Sequence, residues 1–256
     1  MLLLFDIGNT HTHAAFAERG RVLRPVNLPT SAWAKGRMLA LLSRQLRGKT
    51  PAAAALCSVV PAATRHATRA IRHAWGIKPF QFDGGTAQGI GIDYPKPATI
   101  GPDRLANALA ARRAFGAPVV VVDFGTAVTF DVVNRRGAYV GGIIAPGLAA
   151  MTSYLHEKTA LLPEIKIREV TGVIGKSTEQ AMLIGAVHGY RGLIRELIQK
   201  LKRELRCPNL PVVATGGYAK LMAHKLPEIT AVDPLLTLKG LKLAWEWHHG
   251  NDRETG

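Results

Sequence analysis

The amino-acid sequence predicts an α/β fold made of two copies of one lobe, and three observations carry that expectation. Short apolar runs end in polar, glycine-containing loops. Segments of period two alternate with segments of period three to four. The element Asp-x-Gly occurs at Asp6-Ile-Gly8 and again at Asp123-Phe-Gly125, 117 positions later, each time after an apolar strand and before a hairpin. With 256 residues, 47% of them hydrophobic, the chain can fill two cores and does not have the composition of a disordered protein.

Taken in order, residues 2–5 read as a buried strand, 11–17 and 22–28 as alternating strands, and Arg19-Gly20 as the turn joining them. Ser31 is placed to cap a helix in which Met38, Leu39, Leu42 and Leu46 recur at three and four, residues 53–60 form another buried strand, and Pro61 opens the next helix. Pro102 opens a helix through residue 115. From Val119 the first order returns: a buried strand at 119–122, an alternating strand at 128–133, a turn at Arg136-Gly137 and a strand at 138–144. A helix after Pro146-Gly147, a long helix over about 177–205, a strand at 211–214 and a terminal helix over 238–248 complete the second copy. Gly185, Gly189 and Gly192 each cost the long helix about 1 kcal/mol relative to alanine, so close approach by another backbone, from the other lobe or a second copy, is expected there. The boundary is expected near Ala117-Pro118, giving lobes of residues 1–117 and 118–256.

Lys and Arg number 33 against 18 Asp and Glu, a formal charge of +15 that favours anionic partners without choosing among phosphates, nucleic acid and acidic lipid. Two cysteines, Cys57 and Cys207, with no C-x-x-C, exclude a disulfide framework or a cysteine-based zinc site within one chain and point to a reducing cytoplasm. The apolar run at residues 2–5 is shorter than the roughly 7 to 15 residues of a secretory core. The uncharged stretch at 137–156 is interrupted by Gly141, Gly142, Pro146 and Gly147, unlike a membrane helix, so a soluble protein is expected.

Asp6-Ile-Gly-Asn-Thr10 ends the first core strand, where Gly8 permits a tight turn and Asn9 and Thr10 add short polar groups to the backbone donors. Such a loop can wrap phosphate oxygens while Asp6 holds a hydrated Mg²⁺, or it can be an ordinary Asp-Gly turn. Asp123-Phe-Gly-Thr126 and Thr215-Gly216-Gly217 repeat the strand-then-polar-loop arrangement and favour the phosphate reading. No G-x-x-x-x-G-K-[ST] loop is present, which excludes a P-loop ATPase. His11 and His13 fall on one strand face and, with no third ligand evident, read as strand-face histidines rather than a metal site. Arg65, Arg69 and Arg72, with His66 and His73, give one helix a basic face, read as solvated because no aromatic stacking platform accompanies it. Trp245, Trp247, His248 and His249 in the last helix are read as packing and tail residues.

The order of these pieces resembles the acetate and sugar kinase, Hsp70 and actin superfamily and, within it, the type III pantothenate kinases. Asp6-Ile-Gly-Asn-Thr10 resembles the family's first phosphate loop, Tyr94-Pro95 with Gly101-Pro-Asp-Arg104 its pantothenate segment, and Asp123-Phe-Gly-Thr-Ala127 its second phosphate loop. Gly141-Gly142-Ile-Ile-Ala-Pro-Gly147 and Thr215-Gly216-Gly217 complete the series. The resemblance implies two duplicated ribonuclease H-like lobes with mixed sheets flanked by helices, an active-site cleft between them, and ATP-dependent phosphorylation of pantothenate to 4'-phosphopantothenate, the entry to coenzyme A. The alternatives are a regulatory or nucleic-acid-binding member of the same fold and a kinase for another small hydroxyl substrate. By resemblance, Asp103 is the general base and Arg104 pairs with the pantothenate carboxylate beside Tyr94 and Gly101. Asp6 positions Mg²⁺, Asp123 binds a monovalent cation (K⁺ or NH₄⁺), and Gly8, Asn9, Thr10, Thr126, Gly216 and Gly217 contact ATP. Thr178 would reach pantothenate from the second subunit of a homodimer, with Ser177 as a plain helix cap the alternative for that segment. His11-Thr12-His13 departs from the Lys or Arg that many members carry just after the first loop.

Overall fold

The computed structural model describes residues 1–251 and forms two compact units, Met1–Ala114 with the segment from Leu235 onward, and Phe115–Pro234. The chain passes from the first unit to the second between Ala114 and Phe115, and the terminal helix packs with the first unit. Two long-range contacts hold it there. Gly240 lies against the Ala106 backbone, where a Cβ would have no room, and Thr237 Oγ1 donates to Asn107 Oδ1 at 2.8 Å.

The first unit runs β1 (Leu2–Ile7), β2 (His11–Glu18), β3 (Arg21–Pro29), α1 (Ser31–Ala34), α2 (Met38–Leu46), β4 (Ala53–Ser58), α3 (Pro61–Trp75), β5 (Phe80–Gln81), β6 (Gly91–Ile92) and α4 (Pro102–Phe115). Its sheet has the order β3-β2-β1-β4-β5, with β1 antiparallel to β2 and parallel to β4. Apolar residues of β1, β2 and β4 pack on α1, α2 and α3 through Phe5, Phe16, Trp33, Leu42, Leu56 and Ile71. At the first hairpin Arg19 and Gly20 both have positive φ, the two-residue turn whose twist matches its strands.

The second unit contains β7 (Val119–Phe124), β8 (Ala127–Val133), β9 (Ala138–Pro146), α5 (Leu148–Lys158), α6 (Thr178–Ile184), a π-helical turn (Gly185–Gly189), α7 (Tyr190–Glu204), β10 (Val212–Thr215), α8 (Ala219–Ala223) and β11 (Ala231–Val232); α9 (Leu236–Asn251) returns to the first unit. Its strands run β9-β8-β7-β10-β11, antiparallel through the hairpins and parallel from β7 onward. This is the order of the first sheet with the numbers advanced, so the duplicated mixed α/β lobe is present.

Two local expectations change. The single helix after Ser31 is broken at Lys35-Gly36-Arg37, where Gly36 adopts φ +63°, and the residue at its N-cap is Thr30, whose side chain makes no cap bond. The long helix is continuous but carries the π turn at Gly185–Gly189, and a Cβ on Gly185, Gly189 or Gly192 would meet nothing within 4 Å, so no backbone of the described residues packs there. Between α5 and α6, residues 159–177 have no regular structure. They are pinned by Glu169, which accepts both Arg191 guanidinium nitrogens at 2.9 and 2.7 Å, and by the Gly172 carbonyl, which accepts from His188 Nε2 at 3.1 Å.

Candidate active site

In the first unit the apolar run of β1 ends at Asp6, which lies opposite Cys57 of the parallel neighbour β4. The Cys57 thiol donates to Asp6 Oδ1 at 3.7 Å, and burial, then the charges of Asp6 and Asp103, push that thiol well above its ordinary value, so it stays a donor. Asp6 and Asp103, far apart in sequence, therefore share the neighbourhood of one buried thiol. Sequence reasoning left Cys57 out of the site because a cross-strand partner has no signature of its own.

After Asp6 the chain turns through Gly8, whose N–H donates to the His11 carbonyl at 2.9 Å, leaving Asn9 and Thr10 exposed at the tip. Asp103 lies in the first turn of α4, where Pro102 is the opening residue and the helix N-terminus favours an anion. Burial pushes the Asp103 carboxyl above its ordinary value of 3.8, opposed by the Arg104 N–H, which donates to Oδ1 at 2.9 Å, and by the Arg104 charge. Gly101 is needed for this placement, since a Cβ there would stand 2.5 Å from Asp103 Oδ1. Arg104 follows, half-buried, and Tyr94 is exposed on the preceding segment.

In the second unit, Asp123, one residue before the end of β7, lies opposite Thr215 of β10, which joins the second and third loops. Gly216, at φ +88°, sits where a Cβ would fall 2.5 Å from Asp123 Oδ1 and 2.7 Å from the Phe124 backbone. Only glycine allows the third loop's backbone to pack this closely against the Asp123 carboxylate, whose hard oxygens are of the kind that bind a hard or weakly hydrated cation. The loop tip, Gly125-Thr126, is exposed, and the Gly147 N–H donates to the Thr126 carbonyl at 3.1 Å. Gly217, also exposed, precedes Tyr218, whose N–H reaches the Phe124 carbonyl at 3.5 Å.

Thr178 opens α6. Ser177 caps the helix, accepting from Gln180 N–H at 3.2 Å, while the Gln180 side chain accepts from Lys176 N–H at 2.8 Å. Thr178 also borders an apolar groove of about 840 Å³ with Met151, Tyr154, Leu155, Met182 and Gly185; Tyr154 is 61% exposed.

His11 and His13 both lie on the exposed face of β2, and desolvation together with the neighbouring His11 lowers His13 below its ordinary value. Among the described residues no group of three or more His, Cys, Asp or Glu could hold a metal ion, and no helix is long and apolar enough to cross a membrane. Arg65, Arg69 and Arg72 lie exposed along α3.

Sequence reasoning also missed Thr30. Its hydroxyl donates to the Gly8 carbonyl at 2.7 Å and its N–H to the Thr10 carbonyl at 3.0 Å, so it ties both ends of the first loop tip. The signal was available. Pro29-Thr30 and Pro146-Gly147 are separated by the same 117 positions as Asp6 and Asp123.

A family model described as type III pantothenate kinase matches residues 2–200. A type III pantothenate kinase of Methylacidiphilum infernorum is 50% identical over 197 residues, covering 75% of this chain and 69% of that protein. One from Akkermansia muciniphila is 45% identical over 243 residues, covering 94% and 97%. In fold, the chain is similar to a solved protein described as a Baf family transcriptional activator from Campylobacter jejuni, at a TM-score of 0.62 and 19% identity, covering 97% and 99% of the two chains. With the duplicated lobe, the strand-end carboxylates and the Gly101-Pro-Asp-Arg104 helix start in place, these matches lead to one conclusion: the chain belongs to the type III pantothenate kinase family.

Proposed function

We propose that this protein transfers the γ-phosphoryl group of ATP directly to the primary hydroxyl of pantothenate, forming 4'-phosphopantothenate for coenzyme A synthesis. The observation that supports the residue roles most is the desolvated Asp103 carboxyl at the start of α4, sharing the surroundings of Cys57 with Asp6. A carboxyl raised toward neutrality accepts a proton more readily, which is what a general base for an alcohol needs. Arg104 offers a planar two-donor fork to the pantothenate carboxylate, with Tyr94 and Gly101 beside it. Gly8, Asn9 and Thr10 of the first loop, and Thr126, Gly216 and Gly217 of the second unit, contact ATP in this reading, chiefly through backbone donors.

Asp6 would hold Mg²⁺, and Asp123, against which the Gly216 backbone packs closely, would hold K⁺ or NH₄⁺. When bound, these cations offset the negative charge of the phosphates; the chain's own residues position the two substrates and remove the hydroxyl proton. A homodimer is part of the proposal. The apolar groove beside Thr178 and the open space at Gly185, Gly189 and Gly192 support a second copy packing there, with Thr178 of that copy reaching pantothenate. The two free cysteines suit a reducing cytoplasm. Binding of nucleic acid to the α3 arginines is expected only as weak, sequence-independent association that falls steeply with salt.

The test is a coupled ADP-release assay with purified protein, ATP and Mg²⁺, offering pantothenate beside acetate, glycerol and glucose, with and without K⁺. Turnover of pantothenate alone, stimulated by K⁺, is expected. Turnover of another acceptor in its place would move the protein to a different substrate, and none with any acceptor would remove the catalytic reading.

A further inference from the structure

Thr12, Thr30 and Trp33 are almost wholly buried, and their polar atoms form one chain that ends on the first phosphate loop. Trp33 Nε1 donates to Thr12 Oγ1 at 3.2 Å, Thr12 Oγ1 and Thr30 Oγ1 are 3.1 Å apart, and Thr30 Oγ1 donates to the Gly8 carbonyl at 2.7 Å. Only one polarity is open to this chain. The indole can only donate and the carbonyl can only accept, so each hydroxyl accepts from the indole side and spends its single hydrogen toward Gly8. Thr12 is therefore the donor to Thr30. Bonds aligned head to tail in a buried setting strengthen one another.

The endpoint matters because a trans peptide unit points its C=O and its N–H to opposite sides. With the Gly8 carbonyl held toward the buried Thr30 hydroxyl, the Asn9 N–H of the same peptide is turned to the exposed side of the loop, where Asn9 and Thr10 lie. Rotating that peptide would remove a donor from the loop and leave the Thr30 hydroxyl without its acceptor. We propose that Thr30, backed by Thr12 and Trp33, is a positioning residue for ATP: it fixes the Gly8–Asn9 peptide so that the Asn9 amide faces the phosphates. The inference rests on the first loop being the phosphate loop of the proposed kinase.

Thr30→Val tests it, because valine keeps the shape and the Thr30 N–H bond to the Thr10 carbonyl while removing only the hydroxyl. Helix α1 takes no side-chain cap bond from Thr30, so the helix start loses nothing. The KM for ATP and the calorimetric Kd for Mg-ATP are expected to rise about tenfold, the scale of one buried hydrogen bond lost from an acceptor left unpaired, with the KM for pantothenate much less affected. Thr30→Ser, which restores the hydroxyl, should recover most of the loss. A purely structural role would instead lower Tm for Thr30→Val without separating the two KM values.

Thr12→Val, which removes the donor that aligns Thr30, should raise the KM for ATP about threefold and covers the case in which Thr30→Val does not fold. Folded Thr30→Val, or failing that Thr12→Val, with wild-type affinity for ATP would overturn the inference, as would equal losses in Thr30→Val and Thr30→Ser. If wild-type protein proves inactive on pantothenate, the substrate assignment is what has failed, and Mg-ATP calorimetry on the same variants still reads the loop.

Discussion

The two Asp-x-Gly loops begin alike and are held differently. Each leaves a core strand one residue after an aspartate, turns through a glycine whose N–H donates back into the hairpin, and has a threonine carbonyl that accepts a backbone N–H from the residue after the third strand. That residue is Thr30 in the first unit, bonding Thr10, and Gly147 in the second, bonding Thr126. The first loop is one residue longer, Gly8-Asn9-Thr10-His11 against Gly125-Thr126-Ala127. The longer loop leaves room for a threonine side chain, whose hydroxyl holds the Gly8 carbonyl. The shorter one pulls the carbonyls of Gly125 and Thr126 so close to residue 147 that a Cβ there would collide with both. A duplicated backbone plan thus fixes its loops once by a hydroxyl and once by the absence of a side chain. Sequence identity between the copies is a poor guide to which positions correspond.

The largest effect expected concerns which lobe carries the acid–base chemistry. Asp103→Asn should lower kcat by roughly 10²- to 10⁴-fold while ATP binding is nearly unchanged, the range for a lost general base. Because burial raises this carboxyl, folding disfavours its ionised form at neutral pH. The asparagine variant should therefore hold or gain in Tm, and the acid limb of the wild-type rate profile should lie above an ordinary aspartate's 3.8. Near wild-type turnover would return Asp103 to the status of a helix cap.

Next comes the steric half of the comparison. Gly147→Ala should cost about 2 kcal/mol in chemical denaturation, a typical overpacking penalty, whereas Thr30→Ala should cost about 1 kcal/mol, a lost hydrogen bond. Reversed magnitudes would mean that residues 30 and 147 are not equivalent. A third test separates the two aspartates. Asp123→Asn should weaken K⁺ activation about tenfold and leave the Mg²⁺ requirement in place, and Asp6→Asn should do the opposite. Titrations of activity against each cation read the difference, and identical profiles would end the division of labour.

The smallest effect contrasts the lobes' perturbed carboxyls. Glu169 is held down at about 2, first by the side-chain hydrogen bond from Arg191, so its contribution is present above its ordinary value of 4.5 and lost as pH falls toward 2. Glu169→Gln should flatten that part of the stability profile. An unchanged acid limb in thermal scans would show that the Arg191 contact does not anchor residues 159–177.

The sequence alone determined the succession of strands and helices along each lobe, the duplicated loops and the helix start at Pro102-Asp103-Arg104. These follow from apolar period and glycine and proline positions, which act within a few residues, and from a repeat of fixed spacing that is visible without any contact. It could not show that the terminal helix belongs to the first unit, because the deciding contacts, Gly240 on Ala106 and Thr237 on Asn107, lie more than 100 positions apart. Nor could it show that Cys57 meets Asp6, which depends on the register of two parallel strands. Ser31 was the natural cap by residue type, yet Thr30 took the N-cap position and turned its hydroxyl to the Gly8 carbonyl instead of the helix. Local chemistry fixes which groups can bond, but a hydroxyl with two suitors goes to the one that burial would otherwise leave unpaired, and only the tertiary structure decides which that is.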